Sequence, residues 1–220
     1  MRSFLTFCSL LMALSFACAQ EPAPHGIPND VYYLMPSFAH GVIYFRGQSP
    51  AQGDLNICAV DNSLRFKDKD GKELVAGDAD NIVMVQIDTV SFIRHEGVFY
   101  RMYSVSSDLG VALRRRVRII TDAKPGAYGT TSQTSSVKEY SSLYADGAMY
   151  NLHSDKTYPY EVEESVYLYK GNAVFSLSKK NLKKLFPDKK EMIDAYFKAG
   201  HALPKTPEEA GGLLKSWISE

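Results

Sequence analysis

The sequence predicts an α+β fold: a mainly antiparallel β meander of hairpins over residues 31–177, then two or three short helices over 178–220. Three observations predict it. Short runs rich in Val, Ile, Phe and Tyr recur, separated by turn dipeptides that end in glycine. In the longest run Val83, Val85 and Ile87 share one face at period two. After Ser178 the apolar residues change to the three- and four-residue spacing of amphipathic helices.

The N-terminus is set apart from this body. Met1-Arg2 precedes an apolar run from Phe4 to Phe16, and Ala17-Cys18-Ala19 follows. A basic start, a short apolar stretch and an A-x-A site are the parts of a secretory signal peptide, so residues 1–19 are expected to be removed. The run is shorter than the roughly 20 apolar residues that span a bilayer, and no transmembrane segment is expected in the chain from Gln20 onward. A rival reading makes Cys18 the lipidated residue of a lipoprotein, although Ser15 and Phe16 fit poorly before such a cysteine. Residues 20–30, with Pro22, Pro24 and Pro28, read as an extended leader.

Residues 31–177 read as the β domain. Val42 to Phe45 is the first apolar run. Leu64-Arg65-Phe66 and Glu73-Leu74-Val75 flank Asp70-Gly71, a hairpin signal because the turn needs positive φ. Ile82 to Val90 reads as one longer strand. Phe92-Ile93 and Val98 to Val105 flank Glu96-Gly97, and Val111 to Ile120 follows Gly110. Lys124 to Ser136 breaks the pattern with glycines, a proline and a Ser/Thr cluster, and reads as a long loop. Hairpins are expected again at Asp146-Gly147 and Gly171-Asn172. The spacing of these glycine turns is too uneven for a propeller or solenoid.

The C-terminal segment is punctuated by caps. Ser178 can cap a helix holding Leu182, Leu185 and Phe186, which Pro187 ends. Asp188, with Glu191 three residues on, can cap a second holding Met192, Ile193, Tyr196 and Phe197. Gly200 suits the position past its end. Thr206, Pro207 and Glu209 can open a third, with Leu213, Leu214, Trp217 and Ile218 as its apolar stripe. Gly211 and Gly212 weaken that helix by roughly 1 kcal/mol each relative to Ala, so it is expected to depend on docking against the sheet.

Charge excludes the simplest partner classes. The chain has 25 basic and 25 acidic residues, and loss of residues 1–19 removes Arg2 alone. Such a balance argues against nucleic acid as a partner. Of three cysteines only Cys58 lies outside residues 1–19. One cysteine forms no internal disulfide. Its apolar neighbours Leu55-Asn56-Ile57 and Ala59-Val60 predict a buried thiol, not a nucleophile.

No cofactor, metal or catalytic site is expected. The histidines, at 25, 40, 95, 153 and 201, share no metal-ligand spacing with one another or with Cys58. Asp68-Lys69-Asp70-Gly71 with Glu73 lacks the twelve-residue calcium loop and reads as a turn. The strongest local charge feature is Arg114-Arg115-Arg116 with Arg118. On a strand, Arg114, Arg116 and Arg118 share one face, spaced about 7 Å apart, and could grip phosphate or carboxylate groups. The opposing expectation is a solvated face paired with Glu161, Glu163 and Glu164. The chain has fourteen tyrosines, many of which, between Tyr100 and Tyr169, fall in or near the later β runs. Most are expected in sheet packing, whereas Tyr128 stands alone in the long loop and is a candidate contact residue.

Leu113 to Val117 with Gly126-Ala127-Tyr128-Gly129, the Ser-rich stretch to Tyr144, and Lys179-Lys180-Asn181-Leu182-Lys183-Lys184-Leu185-Phe186-Pro187-Asp188-Lys189-Lys190 carry a resemblance. Over about residues 55–200 the chain resembles a family of uncharacterised exported proteins of the Bacteroidota, the last block being the most specific part. The resemblance implies export and an envelope setting, in the periplasm, at the outer membrane or secreted, and carries no catalytic residue. In such a setting Asp88-Thr89-Val90 fits the Asp-Ser/Thr-apolar pattern of O-linked glycosylation, which makes Thr89 a candidate acceptor.

The expected function is therefore that of a non-enzymatic binding or interaction protein of the cell envelope, whose partner is an envelope protein or an anionic glycan. A glycan-acting hydrolase, which would need two facing carboxylates, and a structural component or lipoprotein are the alternatives.

Overall fold

The computed structural model describes residues 27–77, 79–119 and 159–219. Among these described residues ten antiparallel strands form one sheet: β1 (Ala39–Phe45), β2 (Ala51–Ile57), β3 (Leu64–Lys67), β4 (Glu73–Val75), β5 (Ile82–Ile87), β6 (Val90–His95), β7 (Val98–Ser104), β8 (Leu109–Ile119), β9 (Tyr160–Lys170) and β10 (Ala173–Ser176). Their spatial order is β10-β9-β8-β7-β6-β5-β1-β2-β3-β4. The meander is thus broken once. After β4 the chain returns across the sheet, and β5 pairs with β1 instead of β4.

The turn chemistry explains most of the hairpins. Gly71, Gly97 and Gly171 all have positive φ, as does Glu96. The expected single strand Ile82–Val90 is instead two, because Asp88 adopts φ +51° and Ile87 pairs with Val90 across an Asp88-Thr89 turn. Aspartate tolerates this left-handed conformation better than most residues. The β1–β2 hairpin, with Gly47 at φ +69°, has a turn that the apolar-run criterion overlooks. β2 begins with Ala51-Gln52-Gly53-Asp54, and the run does not become apolar until Leu55. The hairpin expected at Gly147 and the loop Lys124–Ser136 lie outside the described residues.

One side of the sheet carries Ile43, Leu55, Ile57, Leu64, Val85, Ile87, Phe92 and Phe99, which form a continuous core. The sheet curls until β8 meets the chain just beyond β2, where the Val117 N–H donates to the Ala59 carbonyl at 3.1 Å. Asn62 ties the same corner. Its amide donates to the Gly97 carbonyl at 2.6 Å and accepts from the Phe99 N–H at 3.1 Å. The leader expected over 20–30 includes core residues: Ile27 is 1% exposed, and Asn29–Tyr32 forms one helical turn, α1. The chain then bridges Tyr33 to Cys58.

Three helices, α2 (Lys179–Leu185), α3 (Lys190–Lys198) and α4 (Pro207–Ser219), follow the sheet. Leu182, Ile193, Ala210, Leu214 and Trp217 bury against Val111 of β8 and Leu168 of β9. Ser178 caps α2 by accepting from the Asn181 N–H, and Thr206 accepts from the Glu209 N–H. Asp188 does not cap α3. It lies within a 3₁₀ turn, Pro187–Lys189, that leaves Lys189 at the cap. Asp194 instead joins the two helices, 2.7 Å from Lys179 and 2.7 Å from Lys183. Hydrogen bonds from Lys179 and then Lys183 hold its carboxyl below the usual carboxylate range. Among the described residues no helix is long and apolar enough to cross a membrane.

Candidate binding surface on the long hairpin

Strands β8 and β9 are the longest in the sheet, eleven residues each, and pair over their full length from Leu109↔Lys170 to Ile119↔Tyr160. Their neighbours are shorter. β7 pairs with β8 only over Gly110–Leu113, and β10 with β9 only over Tyr167–Lys170. Among the described residues the β8–β9 pair thus runs on past both sheet neighbours as a two-stranded ribbon made of 114–119 and 160–166, whose β8 edge is docked where the buried Val117 donates to the Ala59 carbonyl.

The ribbon's two faces follow from period two. Arg114, Arg116 and Arg118 lie on one face, as the sequence predicts, directly opposite Ser165, Glu163 and Glu161. Arg118 lies 3.5 Å from Glu161 and 4.0 Å from Glu163. Arg115, on the other face, lies 3.8 Å from Glu164. The arrangement is a cross-strand ladder of opposite charges, not an unopposed row of guanidiniums. Such partly exposed pairs contribute little stability, of order 0–1 kcal/mol each, but they set the register and protect the strand edge.

Arg114 has a different environment. Its strand partner is Ser165, and it approaches Tyr100, whose hydroxyl is raised above its ordinary pKa by burial, then by Tyr167, with Arg114 opposing the shift. Tyr100 and Tyr167 meet edge to face at 5.1 Å. Behind them, Ile93, Ala112 and Tyr169 close the packing. A guanidinium, two phenols and a ladder of charges thus share one face. At the ribbon's outer end Tyr160 is 37% and Val162 42% exposed, on the opposite face.

The remaining candidates are dispersed. Thr89 is an exposed residue in the tight β5–β6 turn. Tyr128 and Cys18 lie outside the described residues. Asp68 organises its own turn by accepting from the Asp70 and Lys72 N–H groups, each at 2.9 Å. His201 stacks on Tyr196 at 4.6 Å. Among the described residues no three His, Cys, Asp or Glu side chains are grouped as metal ligands.

Sequence reasoning misses a buried ionic network beneath α1. Arg65 is 3% exposed and pairs with the Asp61 carboxylate. Its Nε donates to Ser63 Oγ at 2.7 Å, and its Nη1 lies 3.6 Å from Glu73, which accepts from the Tyr33 hydroxyl at 2.6 Å. Cys58 lies in this neighbourhood. Burial, then Asp61, pushes its thiol up to about 12. A thiol so disposed is not a nucleophile at neutral pH. The one available signal is Arg65 between Leu64 and Phe66, a charge within an apolar run.

No protein-family model matches this chain, and neither a curated protein nor a solved structure matches it.

Proposed function

We propose that this α+β chain is an exported, non-enzymatic binding protein of the bacterial cell envelope that engages its partner through the β8–β9 ribbon. The observation that carries the reading is that the β8–β9 pair outruns β7 and β10, leaving residues 160–164 of β9 exposed along it while β8 is docked at Val117. On one face the half-buried Tyr167 lies with the guanidiniums of Arg114, Arg116 and Arg118, a ring beside donors in a planar fork, a combination suited to glycan or protein contact. The charge ladder narrows the partner. A surface of alternating Arg and Glu favours a partner with both charges, such as an envelope protein, while the Arg114 end suits an anionic glycan.

The β5–β6 turn adds a modification to this reading. Thr89 is exposed at a hairpin tip, where a glycosyltransferase reaches the hydroxyl without unfolding a strand, and it is the O-glycosylation acceptor in this account. Intact-mass comparison of the native protein with Thr89→Ala checks it, the expected result being loss of a glycan mass.

The test of the main reading is chemical crosslinking in cells followed by purification, comparing the native chain with Arg114→Glu/Arg116→Glu. The proposal expects a specific envelope protein or glycan on the native chain that is lost from a folded variant. Equal recovery by both would remove the ribbon as the contact surface.

A further inference from the structure

A polar concavity lies at the rim of the sheet. It has a volume of about 250 Å³. Four separate segments converge on it: Arg46 after β1, Asp80 in the 3₁₀ turn before β5, Arg94 and His95 at the end of β6, and Asn172 in the β9–β10 turn. Because the sheet's curl brings together turns that are far apart in sequence, no sequence motif marks the site.

Arg94 is its central group. The side chain is 12% exposed, and its guanidinium lies 5.8 Å from the Phe99 ring centre. Among the described residues it meets one carboxylate, Asp80, through Nη2 at 3.3 Å, and its buried Nε has no acceptor, as is also the case for the Nε of Arg115 and Arg118. A buried donor without a partner is uncommon and calls for an explanation. Asp80 is fully exposed, so displacing it sacrifices only a weak surface contact. Arg46 is exposed and forms no ion pair among the described residues. Glu96, exposed on the adjoining turn, is the other carboxylate at the rim.

We infer that this concavity binds a small oxyanion, a carboxylate or phosphate group, held by the guanidiniums of Arg94 and Arg46. The planar fork of Arg94, already immobilised against Phe99, can accept such a group in a bidentate geometry. Arg46 adds a second positive charge, and the Asn172 amide and His95 supply polar contacts at the wall. The volume lies below the roughly 300–1,000 Å³ of pockets for drug-sized ligands, which restricts the occupant to a small molecule or a single anionic group.

The test is an amide chemical-shift titration of the chain at constant ionic strength, with inorganic phosphate in one arm and malonate in the other. The inference expects saturable shifts at His95, Glu96 and Gly97 with at least one probe, and the probe that saturates identifies the oxyanion class. Arg94→Lys, which keeps the charge but loses the fork, should bind about tenfold more weakly. Arg46→Ala should weaken binding comparably, and Arg114→Ala should leave it unchanged. Arg46 is exposed, so its variant keeps the test decisive if Arg94→Lys does not fold. Absence of saturation with both probes, or undiminished binding in the Arg46 variant, would overturn the inference.

Discussion

Gly110 and Tyr169 are direct partners across β8 and β9, and the tyrosine ring occupies the space a side chain on Gly110 would need. A Cβ there would lie 2.6 Å from Tyr169 Cε1 and 2.7 Å from its hydroxyl, and would also strike the Tyr103 carbonyl. The hydroxyl donates to Ser104 Oγ at 3.0 Å, which fixes the ring over the glycine. Gly110→Ala is therefore expected to destabilise the protein by about 1–3 kcal/mol, the usual cost of overpacking. Urea unfolding measures it. A variant as stable as the native chain would show that both the ring and the β7 backbone at Tyr103 can shift aside.

The buried Arg65–Asp61 pair gives a second prediction. Removing one partner leaves the other charge buried and uncompensated, so Asp61→Ala is expected to cost about 3–5 kcal/mol. Arg65→Met with Asp61→Ala should cost less than the two single changes added together, because neither charge is then left alone. A double-mutant cycle by urea unfolding reads the difference, and strict additivity would contradict the pairing.

The same neighbourhood sets an alkaline limit. The Cys58 thiol moves from an ordinary 9.0 to about 12 in the folded protein. Burial likewise raises the Tyr32 and Tyr33 phenols above their ordinary 10.0. At high pH the unfolded chain gives up these protons while the folded chain retains them, so the unfolded state binds fewer. The thiol's contribution is then complete below about pH 9 and falls as pH rises toward 12, by about 1.4 kcal/mol per pH unit, with the phenols adding to the decline above about pH 10. Unfolding free energies between pH 8 and 10 should show the decline, and Cys58→Ala should flatten its first part. A native curve level across this range would contradict the burial of the thiol.

The C-terminal helices are expected to be part of the cooperative unit. Trp217 is buried between Phe186 and Tyr196, at ring distances of 6.0 and 5.9 Å, over Val111 and Leu168. Trp217→Ala should cost about 3–5 kcal/mol. Tryptophan fluorescence of the native chain, which has a single tryptophan, should change in the same transition as the sheet's circular dichroism. Separate transitions would make the helices an independent appendage.

Much of this fold is legible in the residues, for local reasons. The turns at Gly71, Gly97 and Gly171 and the caps at Ser178 and Thr206 depend on the chemistry of one or two side chains, which a sequence displays. What is not legible depends on the sheet's curl. Period two places Arg114, Arg116 and Arg118 on one face, and the expected pairing with Glu161, Glu163 and Glu164 is found, but only the register shows which arginine meets which glutamate. The return of β5 to β1 and the concavity around Arg94 are non-local, whereas the Asp61–Arg65–Glu73 network lies within one short stretch and is missed because its residues alone do not show that Arg65 is buried. The break at Asp88 is missed for the opposite reason. An acidic residue in a β-branched run reads as an outward strand position unless its positive φ is known.

Export is the premise from which the partner classes in this account follow, and the mass of the native chain in the cell tests it most directly. Intact-mass analysis of fractionated cells should find the protein in the envelope or medium, beginning at Gln20 after cleavage behind Ala19. A chain beginning at Met1 and confined to the cytosol would contradict the account.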